Sequence, residues 1–431
     1  MEQRGITASG KSPALEIAQS SEHGVDVAGM LTATADKSLS ADSRSEQRRN
    51  DAFSFWKLPE DWRAPLETEN AASEPVARRY LFEEYLDEDG RRPPSSLSAY
   101  YRVKGFIPPS LRHRINSMAI RARRVQEFPR WPCESALLEF WRGWIKQALE
   151  TLGADDGWHI AFWPGGKSCC IVLTHDVESP VGLSRMEGMA DIEERYGFRS
   201  VWNLPLAQYP IDWKIVERMR ARGFEFGAHG LSHDGKLFRS RADFDELAPR
   251  IERIAADHGL FGFRAPSTLR RADWIGGMAF EFDSSFSDTD PYEPQPGGTC
   301  SLFPFFLSEL IELPYTLPQD HTLIHLLRRS PLPVWTVKAR WIEMLGGMIL
   351  TLTHPDYCGI GPYLSGYEEL LKRLSEIDSA WRALPSDVAR WWRRRAELNL
   401  WIKNGTPIIE GLNCGGAAAV RLSAEPLAGL K

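Results

Sequence analysis

The amino-acid sequence predicts an α/β fold built on a parallel sheet or barrel, and two observations carry that expectation. From residue 166 onward, short apolar runs of strand length alternate with stretches whose apolar residues recur at helical spacing. That is the pattern of parallel strands joined by crossover helices. Several of the apolar runs also end abruptly in His, Asp, Glu or Arg, and parallel α/β folds gather their chemistry at the C-terminal ends of the strands.

Along the chain, CCIVLTHD, FRSVWNL, FEFGAHG, LFGFRAP, FEFDSS, LIELPYT and MILTLTH read as strands, with amphipathic helices such as 212–223, 243–259 and 337–347 between them. Ahead of them, Leu137, Leu138, Phe140, Trp141, Trp144, Ile145 and Leu149 form an apolar stripe over 135–152, which predicts a helix serving as a packing layer. Beyond them, a helical stretch containing WWRRR (391–395) continues to about residue 398, with the tryptophans expected on a buried face and the arginines solvated. Asn404-Gly405 between two apolar alternations predicts a hairpin, and Pro407 marks an edge strand.

Residues 1–52 contain no aromatic residue and are rich in Ser, Ala, Asp, Glu and Arg. Such a segment cannot bury enough apolar surface to offset the entropy of ordering, so a disordered tail is expected. The expected organisation is this tail, a partly helical accessory segment at 53–165, an α/β domain at 166–385, and a C-terminal helix with a small β-appendage at 386–431.

Composition narrows the function. With 43% apolar residues and a formal net charge of -6, the chain reads as globular and is not expected to bind nucleic acid. A small molecule or a glycan is the easier partner. The six cysteines form no CxxC pair and no dense framework, so free thiols are expected. No apolar run approaches the roughly 18 residues of a membrane helix, and the first thirty residues show no apolar core of a secretory signal. A cytoplasmic protein is the expectation.

The strand CCIVLT runs out into His175, Asp176, Val177 and Glu178. Positions i and i+2 of an extended strand face the same way, so Asp176 and Glu178 share one side of a site, where one carboxylate can ligate a metal and the other take a proton. His229 and His233 follow the run FEFGAH. Four apart on a helical turn they would share a face, and neutral imidazole is the commonest ligand of zinc-like ions. His321 and His325 repeat that spacing, but His325 sits among Leu323, Ile324, Leu326 and Leu327, which suits a buried helix start. The 229/233 pair is therefore preferred. Arg264 in LFGFRAP can lower the pKa of a nearby carboxylate, and His354 at the end of MILTLTH can give a proton to a departing amine.

In this order the motifs THDVE (174–178), HGLSH (229–233), FRAPS (263–267), FDSSFSD (282–288) and LTH (352–354) resemble those of the polysaccharide deacetylase family, carbohydrate esterase family 4 with the NodB-homology fold. The resemblance covers about 166–385. It implies a distorted (β/α) barrel of about seven strands and a catalytic domain removing acetyl groups from an amino sugar. It further implies Asp176 as general base held by Arg264, His229 and His233 as ligands of a divalent metal, zinc by expectation, and His354 as general acid. Val177 stands where the family has a second aspartate, which moves the third ligand to Glu178. Asp283 is the match to the aspartate motif. His175, Asp288, Asp320 and His321 are candidates for touching substrate or supporting the ligands. The expected function is metal-dependent N-deacetylation of an amino sugar in a glycan or its precursor; the alternatives are a catalytically silent glycan-binding or assembly protein on the same fold, or a hydrolase of a non-sugar amide.

Overall fold

The computed structural model describes residues 50–87, 90–91 and 127–423. The expected tail lies outside the described residues as far as residue 49. Asn50, Asp51 and Ala52 are placed, with Asp51 capping the first helix by accepting from the Ser54 N–H.

Helices α1 (Ala52–Trp56), α2 (Glu67–Leu81) and α3 (Ala136–Leu152) form the N-terminal layer. The predicted stripe of α3 is buried over Leu137, Leu138, Phe140, Trp141, Trp144, Ile145 and Leu149, and Gly153 in the left-handed region (φ 62°) ends the helix. Each of these large side chains contributes about 1.5–3 kcal/mol on burial. The indole N–H groups add direction: Trp56 donates to the carbonyl of Trp141 at 3.2 Å and Trp144 to that of Glu69 at 3.0 Å.

After β1 (Asp156–Ile160) the barrel follows as β2 (Cys169–Asp176), α4 (Pro180–Arg195), β3 (Ser200–Leu204), α5 (Trp213–Ala221), β4 (Glu225–Ala228), α6 (Arg241–Asp257), β5 (Gly262–Phe263), α7 (Ala272–Ile275), β6 (Phe282–Asp283), β7 (Phe305–Leu307), β8 (Leu310–Glu312), α8 (Pro331–Leu345), β9 (Met348–Thr353), α9 (Gly361–Ser375), β10 (Ala380–Arg382) and α10 (Pro385–Glu397). The sheet runs β9–β2–β3–β4–β5–β6–β8–β7, with β10 beside the start of β2. Every pairing is parallel except the β7–β8 hairpin.

The seven apolar runs of the sequence are β2, β3, β4, β5, β6, β8 and β9. They close on themselves. Past β8, the N–H groups of Thr316 and Leu317 both donate to the Leu350 carbonyl of β9, at 3.2 and 3.0 Å, and the Thr316 hydroxyl donates to Met348 O at 2.7 Å. With β5 and β6 only two residues long, the result is a distorted (β/α) barrel.

β2 is buried along all eight residues, as a central parallel strand should be. Helix α8 packs against β2 and β9, and the N-terminal helices share one continuous core with the barrel. Arg395 of α10, expected to be solvated with its neighbours, is instead buried, because it ties the two together by donating to the carbonyls of Phe55, Trp56, Ile160 and Ala161. The predicted hairpin is β11 (Asn399–Lys403) and β12 (Thr406–Glu410), turning on Asn404 and Gly405 with φ of 52° and 75°. β13 (Ala419–Ser423) pairs antiparallel with β1.

Candidate metal centre and proton-transfer groups

Five strand ends meet at the C-terminal mouth of the barrel. β2 delivers Asp176, which is 2% exposed. Its Oδ1 accepts from Asn203 Nδ2 at 2.9 Å; Arg264 Nη1 lies 3.6 Å from that oxygen and His229 Nε2 lies 3.8 Å from Oδ2. Burial alone would raise the pKa of Asp176, but the nearby His229 imidazole, the Arg264 and His354 charges and the Asn203 bond outweigh it and hold the carboxyl below its ordinary value. Asn203 reaches Asp176 because β3 sets them opposite each other in register. Gly227 makes room, since a Cβ there would come within 2.2 Å of Asn203 Oδ1.

Glu178, two residues on, places Oε1 2.9 Å from His233 Nε2 and 3.9 Å from His354 Nε2, and its Oε2 accepts from the Tyr357 hydroxyl at 2.9 Å. Burial pushes its pKa up, but His233, by charge and hydrogen bond, with His354 and His229, brings it well below the ordinary glutamate value.

The histidine pair is not helical. His229 follows β4 directly, Gly230 turns the chain with φ 68°, and a Cβ on it would lie 2.8 Å from Pro266. The turn nevertheless brings the two rings to 5.5 Å between centroids. His229 Nδ1 faces the Arg264 carbonyl at 3.0 Å, which assigns the proton to Nδ1. Burial lowers its pKa, with Asp176 pulling the other way, so the ring is neutral with a lone pair on Nε2. That atom is buried and has no hydrogen-bond partner among the described residues.

Ligand atoms of Glu178, His229 and His233 all lie within 4.8 Å of one another, the one such group among the described residues. Two imidazoles and a carboxylate are a donor set that binds zinc and related divalent ions while leaving positions open. The residues fit such an ion.

Across the mouth, His354 follows β9 directly. Asp320 holds it twice, accepting the backbone N–H at Oδ2 (2.8 Å) and facing Nδ1 from Oδ1 (2.6 Å). Burial pulls the imidazole pKa down, but the Asp320 charge and hydrogen bond, with Glu178 and Asp176, raise it to about 10. His354 is therefore a charged donor at neutral pH.

The remaining candidates fall elsewhere. His175 points to the opposite face of β2, as strand alternation requires; it is fully buried, bonded to Thr353 Oγ1 and Glu193 Oε1, and stacked on Trp202. Asp288 is locked to Lys338 Nζ at 2.7 and 2.8 Å, away from the ligand group. Asp283 does not touch Asp176: its Oδ1 accepts from Ser285, and it stands beside Glu312 in the β6–β8 register. Burial raises the pKa of both acids, and the neighbouring Asp283 carboxylate adds to the rise at Glu312. Arg264 donates from Nη2 to Ser284 Oγ at 2.6 Å. His321 lies 6.5 Å from His354 and 5.6 Å from Tyr357 between ring centroids, and His325 packs on Tyr357 from a π-helical turn.

Three residues at the site carry no motif signal. Tyr357 and Gln208 are ordinary loop residues in the sequence, and Asn203 was detectable only as a polar residue inside an apolar strand.

No protein-family model matches the chain, and no curated protein does. Solved structures do. A protein from Mycobacterium smegmatis named as a polysaccharide deacetylase is 18% identical, covering 54% of this chain and 92% of its own, with a TM-score of 0.45. Puue allantoinase is 14% identical over 54% and 92% of the two chains, with a TM-score of 0.42. A family 4 carbohydrate esterase from Streptomyces lividans is 15% identical over 50% and 93%, with a TM-score of 0.32. The motifs of the sequence resemble the family named in the first and last of these.

Among the described residues no helix is long and apolar enough to cross a membrane.

Proposed function

We propose that this chain is a metal-dependent hydrolase that removes the N-acetyl group from an amino sugar in a glycan or its precursor. The observation that carries this reading is the ligand group with its orphaned atom. Leaving a buried acceptor such as His229 Nε2 unpaired costs about 1–3 kcal/mol, and a cation held with Glu178 and His233 removes that cost.

Bound there, a divalent ion, zinc first among the choices, supplies Lewis-acid polarisation of the acyl carbonyl and acidification of water. The chain's own groups do the rest. Asp176, kept ionised by its neighbours, takes the proton of the attacking water, with Asn203 fixing one oxygen and the Arg264 charge close by. His354, kept charged by Asp320, gives a proton to the leaving nitrogen as the carbon–nitrogen bond breaks. The products are acetate and a free amine. Asp176 and His354 thus approach the same carbonyl from two sides of the mouth, base and acid held in opposite protonation states by their surroundings.

The test is acetate release from an N-acetylated chito-oligosaccharide by the zinc-loaded protein, with Asp176→Asn as the control. Turnover should vanish in the variant while oligosaccharide binding persists. Zinc-loaded wild type that binds the sugar and releases no acetate from N- or O-acetylated substrates would instead mark a glycan-binding protein.

A further inference from the structure

Gln208 is an exposed residue on the loop after β3, yet both ends of its amide are engaged. Oε1 accepts from the backbone N–H of His233 at 2.6 Å, and Nε2 donates to the backbone carbonyl of Glu178 at 2.6 Å. The loop leads up to these bonds. His229 N–H donates to Leu204 O at 2.8 Å, Leu206 N–H to Gly230 O at 2.9 Å, and Ala207 N–H to Leu231 O at 2.7 Å. The β3–β4 ladder therefore continues past the strand ends, and the Gln208 side chain supplies the next rung. On the other side, the Tyr209 hydroxyl donates to Val177 O at 2.6 Å, keeping the end of β2 against the same loop.

We infer that Gln208 is a positioning residue for the metal centre, its amide fixing the separation of the Glu178 and His233 main chains. The inference rests on the metal-dependent reading given above. His229 has its own support, in β4 and the Arg264 carbonyl. Glu178 and His233 lie on loops beyond their strands, and among the described residues the Gln208 amide is the side chain that bonds the backbone of both. Without it, two ligands of three lose their common anchor and more ordering is left for the ion to impose.

The experiment titrates zinc into the metal-free full chain against a chromophoric chelator for wild type, Gln208→Ala, Gln208→Glu and His229→Ala, and follows amide hydrogen exchange at His233 without metal. Wild type should bind stoichiometrically and His229→Ala should lose the site. Gln208→Ala should bind about 10- to 100-fold more weakly, the usual effect of losing a support around a metal ligand, with faster exchange at His233. Gln208→Glu keeps the acceptor for His233 and loses the donor to Glu178, so its exchange should stay slow while its affinity falls between the two. A wild type that binds zinc beside a Gln208→Ala variant within about threefold of it overturns the inference and leaves the metal site standing. If the His233 amide responds as expected but wild type takes up no zinc, the metal reading fails and the positioning role with it.

Discussion

Replacing Lys338 by Met should destabilise the chain by about 3–5 kcal/mol at pH 8, because removing one partner of a buried ion pair strands the other charge. The pair is Lys338 and Asp288, with side chains 0% and 1% exposed and Nζ 2.7 Å from one carboxylate oxygen. Met keeps the apolar stem as far as Cε and lacks only the ammonium group, so the loss is chiefly electrostatic. The size of the effect depends on pH in a fixed direction. Burial pushes the Asp288 carboxyl up to about 7 even though Lys338 pulls it down. A carboxyl whose folded pKa exceeds its unfolded value contributes stability at low pH that is lost as pH rises through the interval, here from about 4 to about 7. Without Lys338 the folded pKa rises further. At pH 5 the acid is already protonated in the native state and the substitution should cost less than at pH 8. Urea unfolding followed by tryptophan fluorescence at both pH values measures this. A loss under about 1 kcal/mol at pH 8, or a larger loss at pH 5 than at pH 8, refutes the reasoning. Zinc affinity should not change, since Asp288 lies outside the ligand group.

Asp320→Asn should lower kcat/KM for deacetylation by about 10²- to 10⁴-fold, the usual contribution of a positioned proton donor. Its alkaline limb should also move down from about 10, because the acid form of His354 is active and is lost as pH rises through its pKa; an unmoved limb would assign that proton to another group. Arg395→Met should leave four carbonyls, those of Phe55, Trp56, Ile160 and Ala161, without their donor, at about 1–3 kcal/mol for each that stays dry and unpaired. Urea unfolding reads the sum, and a total loss below about 1 kcal/mol would mean that water takes over the bonds.

The barrel's staves were legible because each is an apolar run buried on both faces, and burial of that kind leaves a continuous mark in the sequence. β7 and β10 left none. Each is three residues long, and they exist because β8 and the start of β2 offer edges to pair with, which is a property of the sheet. β1 and β13 are likewise defined by each other, across most of the described chain. The histidine pair was legible as a spacing, but the helical turn assumed for it is a loop turned by Gly230 and paired to the end of β3. The side-chain outcome was the same because the loop is held by main-chain bonds.

Residue identity by itself determined the chemistry of the groups proposed as ligands, the order of the strand ends, and the alternation that sets Asp176 and Glu178 on the side of the chain opposite His175. Only the tertiary structure decided what each group touches. Asn203 bonds Asp176 where Arg264 stands 3.6 Å off, Asp320 bonds His354, Asp288 belongs to Lys338, and Gln208 spans the loops of Glu178 and His233. Periodicity is local and survives in a linear string, whereas a hydrogen bond or a shifted pKa depends on which distant residues the closed barrel brings within about 3 Å of each other.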